Sequence, residues 1–510
     1  MKKLTDLQKG ILKRALNGNE QTYEDVCRRV STYLEGGETL YNAMLNCEFL
    51  PAMPCLMNAG TDHPQLSACF VIPTEDSLES IMQSATEMAL TFKSGGGVGF
   101  NLSCIRPVGS PVGSTGGTSP SIVEWMKIFN AVADAVKNGA RRRGALMVCC
   151  DFWNPNVVDF INSKRVDNEL SNMNISVVMR DSDFEAIDND AEHPSGRTAK
   201  QVWNLIVTRA WEKAEPGLLF IDRALEDDCR VYGTNPCGEQ WLPPYGNCNL
   251  GSINLSACIE DGKMNYDELK RITEIGARAL WVACQKNQLP LPQMMEENRR
   301  HPRIGLGVVG LAEAFIKCGV RYGTPESCRL ATKWLECMRR TAGKVVPEEC
   351  EALLSIAPTG SLSTLMGTSS GVEPYFAFVT KRHIMDKDWI EIAECYEKAP
   401  DKSVCVTAYD VTPEEHVRVL AACQSVVDNS ISKTINMPQS ASKEDVAHIY
   451  RMAYETGCKG VTIYREGSRC APLESLKPED IYTCPECGHK QLKQGAHCIQ
   501  CENCGYQTCG

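Results

Sequence analysis

The chain has 510 residues, 23% charged and 43% hydrophobic, with 39 glycines and 26 prolines spread along it. This is globular composition and excludes disordered and fibrous classes. With 53 Lys+Arg against 64 Asp+Glu the formal charge is -11 and no strongly basic run occurs, which argues against a nucleic-acid partner.

No stretch approaches the ~20 apolar residues of a membrane span, and the N-terminus runs directly into charged sequence, so no membrane partner and a cytoplasmic location are expected. Leu7, Ile11, Leu12 and Ala15, then Val26, Val30, Tyr33 and Leu34, recur at helical spacing and predict a helical section over 1–48. Over 49–470 helical stretches alternate with short apolar runs such as Ile175-Ser-Val-Val-Met179 and Leu218-Leu-Phe-Ile221, the pattern of an α/β domain with a mostly buried sheet. Gly95-Gly-Gly-Val-Gly99 lacks the Gly-Lys-Ser/Thr ending of a P-loop and reads as a tight turn. Gly305-Leu-Gly307-Val-Val-Gly310 matches G-x-G-x-x-G but follows a charged run instead of a strand, so close helix packing through small residues is the better reading. Residues 471–483, opening with two prolines and three acids in ten residues, read as a linker to a separate module over 484–510.

Twenty-seven cysteines at irregular spacing in so long a chain point to reduced thiols with chemical roles rather than a disulfide framework. Six lie in the last 27 residues. Cys484-Pro-Glu-Cys487, Cys498-Ile-Gln-Cys501 and Cys501-Glu-Asn-Cys504 supply knuckles for one tetrahedral structural Zn²⁺. The favoured set is Cys484, Cys487, Cys498 and Cys501, which leaves Cys504 and Cys509 as an exchangeable dithiol. Zinc on Cys484, Cys487, Cys501 and Cys504 is the alternative, as is a purely structural ribbon.

In the core, Tyr232-Gly-Thr-Asn235-Pro-Cys237-Gly-Glu239 puts an amide, a thiol and a carboxylate at alternate positions, which in extended backbone face one way. Cys69 in Gln65-Leu-Ser-Ala-Cys69 and Cys248 in Asn247-Cys248-Asn-Leu-Gly each stand at an edge between apolar and turn-forming sequence. Ala357-Pro358-Thr359-Gly360-Ser361-Leu-Ser363 offers hydroxyls and backbone N–H groups to an anion.

Together with Phe49-Leu-Pro-Ala-Met-Pro-Cys55-Leu-Met-Asn-Ala-Gly60, Asn138-Gly-Ala-Arg-Arg-Arg-Gly144 and Tyr464-Arg-Glu-Gly-Ser468, these segments resemble ribonucleotide reductase catalytic subunits, nearest to the adenosylcobalamin-dependent class II. The resemblance implies a ten-stranded α/β barrel of two five-stranded parallel halves, with Cys237 on a central finger loop. It implies Cys237 as the thiyl radical taking the ribose 3'-hydrogen, Glu239 as base on the 3'-hydroxyl and Asn235 as partner of the sugar hydroxyls. Cys69 and Cys248 become the reducing dithiol, reopened by the Cys504/Cys509 tail and a thioredoxin- or glutaredoxin-like reductant. The phosphates of a ribonucleoside diphosphate or triphosphate would lie on Pro358, Thr359, Gly360, Ser361 and Ser363. Cys55 departs from the family's usual Thr.

The family's effector site, for a deoxynucleotide or ATP, matches Asp76 and Arg106 beside helices over 78–92 and 121–137, with 164–172 as the relay loop. The same helices imply a homodimer. No Tyr-Tyr pair supports a class I radical route, and no glycyl-radical segment supports class III. A zinc-ribbon nucleic-acid-binding protein is the reading of a different class, and the lack of basic or aromatic clustering around the tail cysteines opposes it.

Overall fold

This computed structural model describes residues 5–114, 116–137, 144–166, 169–384, 387–468, 474–476, 481–492, 498–501 and 503–509. The motif residues 138–143 thus lie outside the described residues.

The N-terminal section forms as its spacing predicts. Helices Asp6–Ala15 and Tyr23–Tyr33 each start on a capping box, Thr5 with Gln8 and Thr22 with Asp25, which satisfies orphan N–H groups at both starts. A third helix, Gly37–Leu45, follows, and Val26, Cys27 and Val30 bury against the main core.

The body is a mixed α/β fold around a ten-stranded sheet. Its strands are β1 (Phe49–Pro51), β2 (Cys69–Val71), β3 (Gly97–Asn101), β4 (Leu146–Asp151), β5 (Met173–Met179), β6 (Gly217–Phe220), β7 (Asn247–Asn254), β8 (Ile304–Val309), β9 (Thr434–Met437) and β10 (Gly460–Arg465). From β2 through β6 neighbouring strands pair in parallel. β7 pairs in parallel with β8, and β9 with β10. Antiparallel contacts join these groups at β2/β7 and β6/β10, and β1 adds antiparallel to β7. Isolated parallel bridges, Leu306 to Leu354 and Ile356 to Ile431, continue the ladder from β8 toward the segment entering β9. The parallel strands are nearly continuous in burial, as a sheet covered by crossover helices requires.

Two glycine motifs differ from their sequence reading. Only Gly95 and Gly96 turn; Gly97 and Gly99 lie in β3, where added methyls would meet Pro236 Cγ at 3.0 Å and the Thr234 carbonyl oxygen at 1.7 Å. Their lack of a side chain lets another segment cross the strand. Gly305 and Gly307 likewise lie in β8, and give room to Leu250, Cys248 and the Ser355 carbonyl, not to a packed helix.

The expected linker is partly strand: Glu474–Leu476 pairs with Val379–Ile384, which pairs with Lys387–Ile392. The tail contains two hairpins, Ile481–Thr483 with Lys490–Leu492 and Cys498–Gln500 with Gln507–Cys509. Lys490 pairs with Glu397 of the body. Among the described residues no helix is long and apolar enough to cross a membrane.

Candidate active site

Residues 233–242 form a hairpin that crosses β3. Gly233–Thr234 pairs with Trp241–Leu242, and Asn235 N donates to the Gln240 carbonyl at 3.1 Å. Gly238 closes the tip at φ +76°, a left-handed conformation that suits glycine. The expected extended backbone is therefore a tight turn. It leaves Asn235 and Glu239 buried and Cys237 exposed at the apex. Three neighbours hold it: Asn174 Nδ2 donates to the Pro236 carbonyl at 3.0 Å, Ser355 Oγ to the Glu239 carbonyl at 2.9 Å, and Trp241 N to Asn429 Oδ1 at 2.7 Å.

The apex opens on two cavities. One, of about 220 Å³, is walled by Cys237, Asn235, Glu239, Cys69, the β1-following residues Ala52 to Pro54 and the loop from Ala357 to Leu362. The other, of about 260 Å³, shares Pro236, Cys237 and Pro358 with the first and is otherwise walled by Asn174, Ser176, Glu215, Ser432, Lys433, Thr434 and Thr462 among others. Each is smaller than the ~300 Å³ at which drug-sized ligand sites begin.

Sequence-distant groups meet in the first cavity. Asn235 Nδ2 donates to Cys69 Sγ at 2.9 Å, and the Cys69 thiol approaches Glu239 Oε1 at 3.6 Å. Cys69 and Cys248 stand opposite one another in the antiparallel β2/β7 register. Directly opposed residues lie about 4.5–5.5 Å apart at Cα, within the span that a disulfide bridges. Cys248 is fully buried and stays behind the wall; burial pushes its thiol well above the usual range.

The loop before helix Gly360–Met366 places Pro358, Thr359, Gly360 and Ser361 on the cavity. Thr359 takes φ +56°. Ser363, expected on the phosphate, instead turns inward: it is 3% exposed and bonds the Gly360 carbonyl and Ser370 hydroxyl. Cys55 is also buried and outside the cavity wall, its thiol pushed up to about 12 by desolvation.

Asp76 and Arg106 do meet, as an ion pair of 2.6 Å, and the helices Leu78–Lys93 and Ile122–Lys137 pack together. Lys164, at the start of the expected relay loop, pairs at 2.5 Å with Glu215 of the second cavity; residues 167 and 168 of that loop lie outside the described residues.

In the tail, the sulfurs of Cys484, Cys487, Cys501 and Cys504 lie within 4.8 Å of one another. Cys504, expected in the dithiol, stands in this cluster, as in the alternative set, because the two Cys-x-x-Cys-Gly turns each offer both their cysteines to it. Cys498 stands in strand, opposite Cys509; the side chains of both lie outside the described residues. A hydrogen bond from Asn503, with backbone help from His489, pulls Cys487 down to about 6. Four clustered cysteine sulfurs are compatible with zinc.

Models of the ribonucleotide reductase all-alpha domain and barrel domain match residues 4–64 and, in three overlapping parts, 67–464. The chain belongs to the ribonucleotide reductase family. It is 35% identical over 512 aligned positions to the vitamin B12-dependent ribonucleoside-diphosphate reductase of Thermoplasma acidophilum, covering 86% of this chain and 67% of that one. A Mycobacterium tuberculosis enzyme of the same description is 34% identical over 87% of this chain and 74% of its own. The ribonucleoside-diphosphate reductase large chain of Schizosaccharomyces pombe is 29% identical over 55% of this chain and 41% of its own.

The sequence reading missed the second cavity and the side chains that hold the hairpin. Asn174, Ser355 and Asn429 carry no local motif; only the pairing of distant strands brings them to it.

Proposed function

We propose that the chain reduces ribonucleoside diphosphates to 2'-deoxyribonucleotides by radical chemistry that depends on adenosylcobalamin. The observation that carries this reading is a single thiol, Cys237, at the apex of a hairpin shared by two cavities. One presents Cys69, with Cys248 behind it, a carboxylate and an anion loop; the other mixes polar and apolar walls and suits a nucleoside. The B12 dependence and the diphosphate follow the descriptions of the two relatives above.

The second cavity fits the adenosyl portion of the cofactor. Ser176 and Thr462 hydroxyls flank Gly217, where an added methyl would lie 3.1 and 3.2 Å from them, and Asn174, Ser432 and Thr434 extend the polar wall. When bound, the cofactor supplies a homolytically labile bond and so a source of radicals. Substrate phosphates rest on Thr359, Gly360 and Ser361. Cys237, as a thiyl radical, takes the 3'-hydrogen, while Glu239 accepts the 3'-hydroxyl proton and Asn235 orients the sugar. Cys69 and Cys248 then give two electrons and two hydrogens: their thiols close to a disulfide as the 2'-oxygen leaves as water, and Cys237 and Glu239 return the 3'-hydrogen and the 3'-hydroxyl proton to the product.

With Cys504 in the four-sulfur group, which zinc would close into a folded ribbon, Cys498 and Cys509 become the pair for thiol exchange. The two isolated bridges between β8 and β9 support closure of the parallel halves into a ten-stranded barrel. Division near 1–48, 49–470, 471–483 and 484–510 follows the same reading. Leu78, Met82 and Leu90, exposed on one helix, support the homodimer, and the Asp76–Arg106 pair is the proposed place of a nucleotide effector.

Anaerobic turnover of a ribonucleoside diphosphate with adenosylcobalamin and dithiothreitol tests the reading, with Cys237→Ser as control. Deoxynucleotide should form only when cofactor and Cys237 are both present. Product without cobalamin, or from the serine variant, overturns it.

A further inference from the structure

The turn of residues 370–373 lies behind the anion loop and touches it twice. Gly371 N donates to Thr359 Oγ1 at 2.9 Å, and the Ser370 and Ser363 hydroxyls share a hydrogen bond of 2.7 Å. A methyl on Gly371, which sits at φ +48°, would come within 3.0 Å of the Ala357 carbonyl oxygen. The turn is thus pressed against the loop and braces Thr359 in its left-handed conformation, which a β-branched residue adopts only under such constraint.

The other end of the turn is anchored beside β9. One Glu373 oxygen accepts from Thr434 N at 2.7 Å and the other from the Lys433 ammonium. The Lys433 side chain is 0% exposed, and it also reaches the Thr434 carbonyl at 3.0 Å and His416 Nδ1 at 2.9 Å. His416 Nε2 donates to the Ala408 carbonyl at 2.9 Å, so Nδ1 is a bare acceptor and the ring is neutral. Burial, then the Lys433 charge, holds that ring down at about 2. Tyr322 OH adds a bond of 2.6 Å to the Val372 carbonyl. Removing an ammonium and a carboxylate from water costs several kcal/mol per ion, and well-packed apolar residues often serve stability as well. What the pair adds is a fixed position for the turn.

We propose that Glu373 and Lys433 are positioning residues for ribonucleotide reduction: they clamp the 370–373 turn so that Thr359 and the following backbone N–H groups present a rigid cradle to the substrate phosphates. The proposal rests on reading residues 358–361 as the phosphate loop. Residue 433 also lines the second cavity with Cys237, while its side chain is fully buried in the pairing with Glu373.

Equilibrium dialysis of a ribonucleoside diphosphate and of the matching ribonucleoside, on wild type, Glu373→Gln and Glu373→Gln/Lys433→Met, separates the two claims. Equal affinities in wild type overturn the phosphate-loop reading and the clamp with it. Where wild type prefers the diphosphate, that preference should fall about tenfold in Glu373→Gln, about 1.4 kcal/mol, with nucleoside affinity unchanged. The double variant removes both charges together, tolerates burial if the single one does not fold, and should lose the same preference. A folded variant that keeps the wild-type preference, whatever its melting temperature, overturns the clamp, because a merely structural pair would move the melting temperature alone.

Discussion

Gly99→Ala is the sharpest test of how the hairpin is positioned. The new methyl would lie 1.7 Å from the Thr234 carbonyl oxygen, 2.8 Å from its carbon and 3.5 Å from Asn235 Cα. Real Cβ contacts stop near 3.0 Å, so the hairpin must withdraw from β3 by at least about 1.3 Å, or β3 must bend by as much. The 2.9 Å bond from Asn235 to Cys69 and the 3.6 Å approach of Cys69 to Glu239 cannot survive that shift. Misplacement of about 1 Å costs on the order of 10²-fold in rate, whereas overpacking of this kind costs only about 1–3 kcal/mol of stability. Anaerobic turnover should therefore fall about a hundredfold in a protein that still melts cooperatively. Gly10→Ala, where a methyl meets nothing within 4 Å, is the control and should keep full activity. Turnover within threefold of wild type in folded Gly99→Ala would refute the claim that β3 sets the hairpin.

Three further outcomes are expected. Wild type incubated with substrate and cofactor but no reductant should lose up to four titratable thiols per chain, from the Cys69/Cys248 pair and the tail pair that reopens it, and Cys248→Ser should lose none; a full loss in the variant removes Cys248 from the dithiol. Cys504→Ser should lose bound zinc by elemental analysis while Cys498→Ser keeps it, and the reverse result would restore the set favoured by spacing. Burial raises Asp183 to about 6 from 3.8, so the folded state holds a proton that the unfolded state has released. Stability should decline by up to about 3 kcal/mol as pH rises from about 4 to 6, and Asp183→Asn, which keeps an acceptor for Arg180 N, should flatten that slope in urea titrations.

Much of the site was legible because its residues carry local marks. Asn235, Cys237 and Glu239 fall between Pro and Gly, and the Ala357 to Ser363 loop mixes glycine with hydroxyls. What could not be read depends on pairing across long distances. Cys69 and Cys248 are 179 positions apart in sequence, and nothing in either segment tells which strand lies beside it. The Gly97 and Gly99 alternation looks like a turn until a second chain segment is known to cross there. Spacing left the tail ambiguous, since Cys498, Cys501 and Cys504 form overlapping Cys-x-x-Cys pairs; the folded turns, with glycine after Cys487 and Cys504, favour the alternative set. Glu373 and Lys433 stand in ordinary polar contexts, and only a burial value distinguishes that lysine.

The burial of Cys248 also bears on which half of the catalytic cycle is slow. Most thiols in the body are packed as small apolar side chains, and desolvation lifts Cys27, Cys258, Cys284 and Cys458 to about 12. Cys248 shares that environment, whereas Cys69 forms part of the cavity wall. A reductant entering the cavity therefore meets the Cys69 sulfur first and expels Cys248. Thiols of high pKa leave slowly, so reopening should be slower than chemistry at the sugar. Rapid-quench measurements with dithiothreitol should show a burst approaching one product per chain, then a slower steady rate that increases with pH as more of the attacking thiol ionises. Linear product formation from the first turnover would place the slow step elsewhere, and the buried position of Cys248 would then have no kinetic consequence.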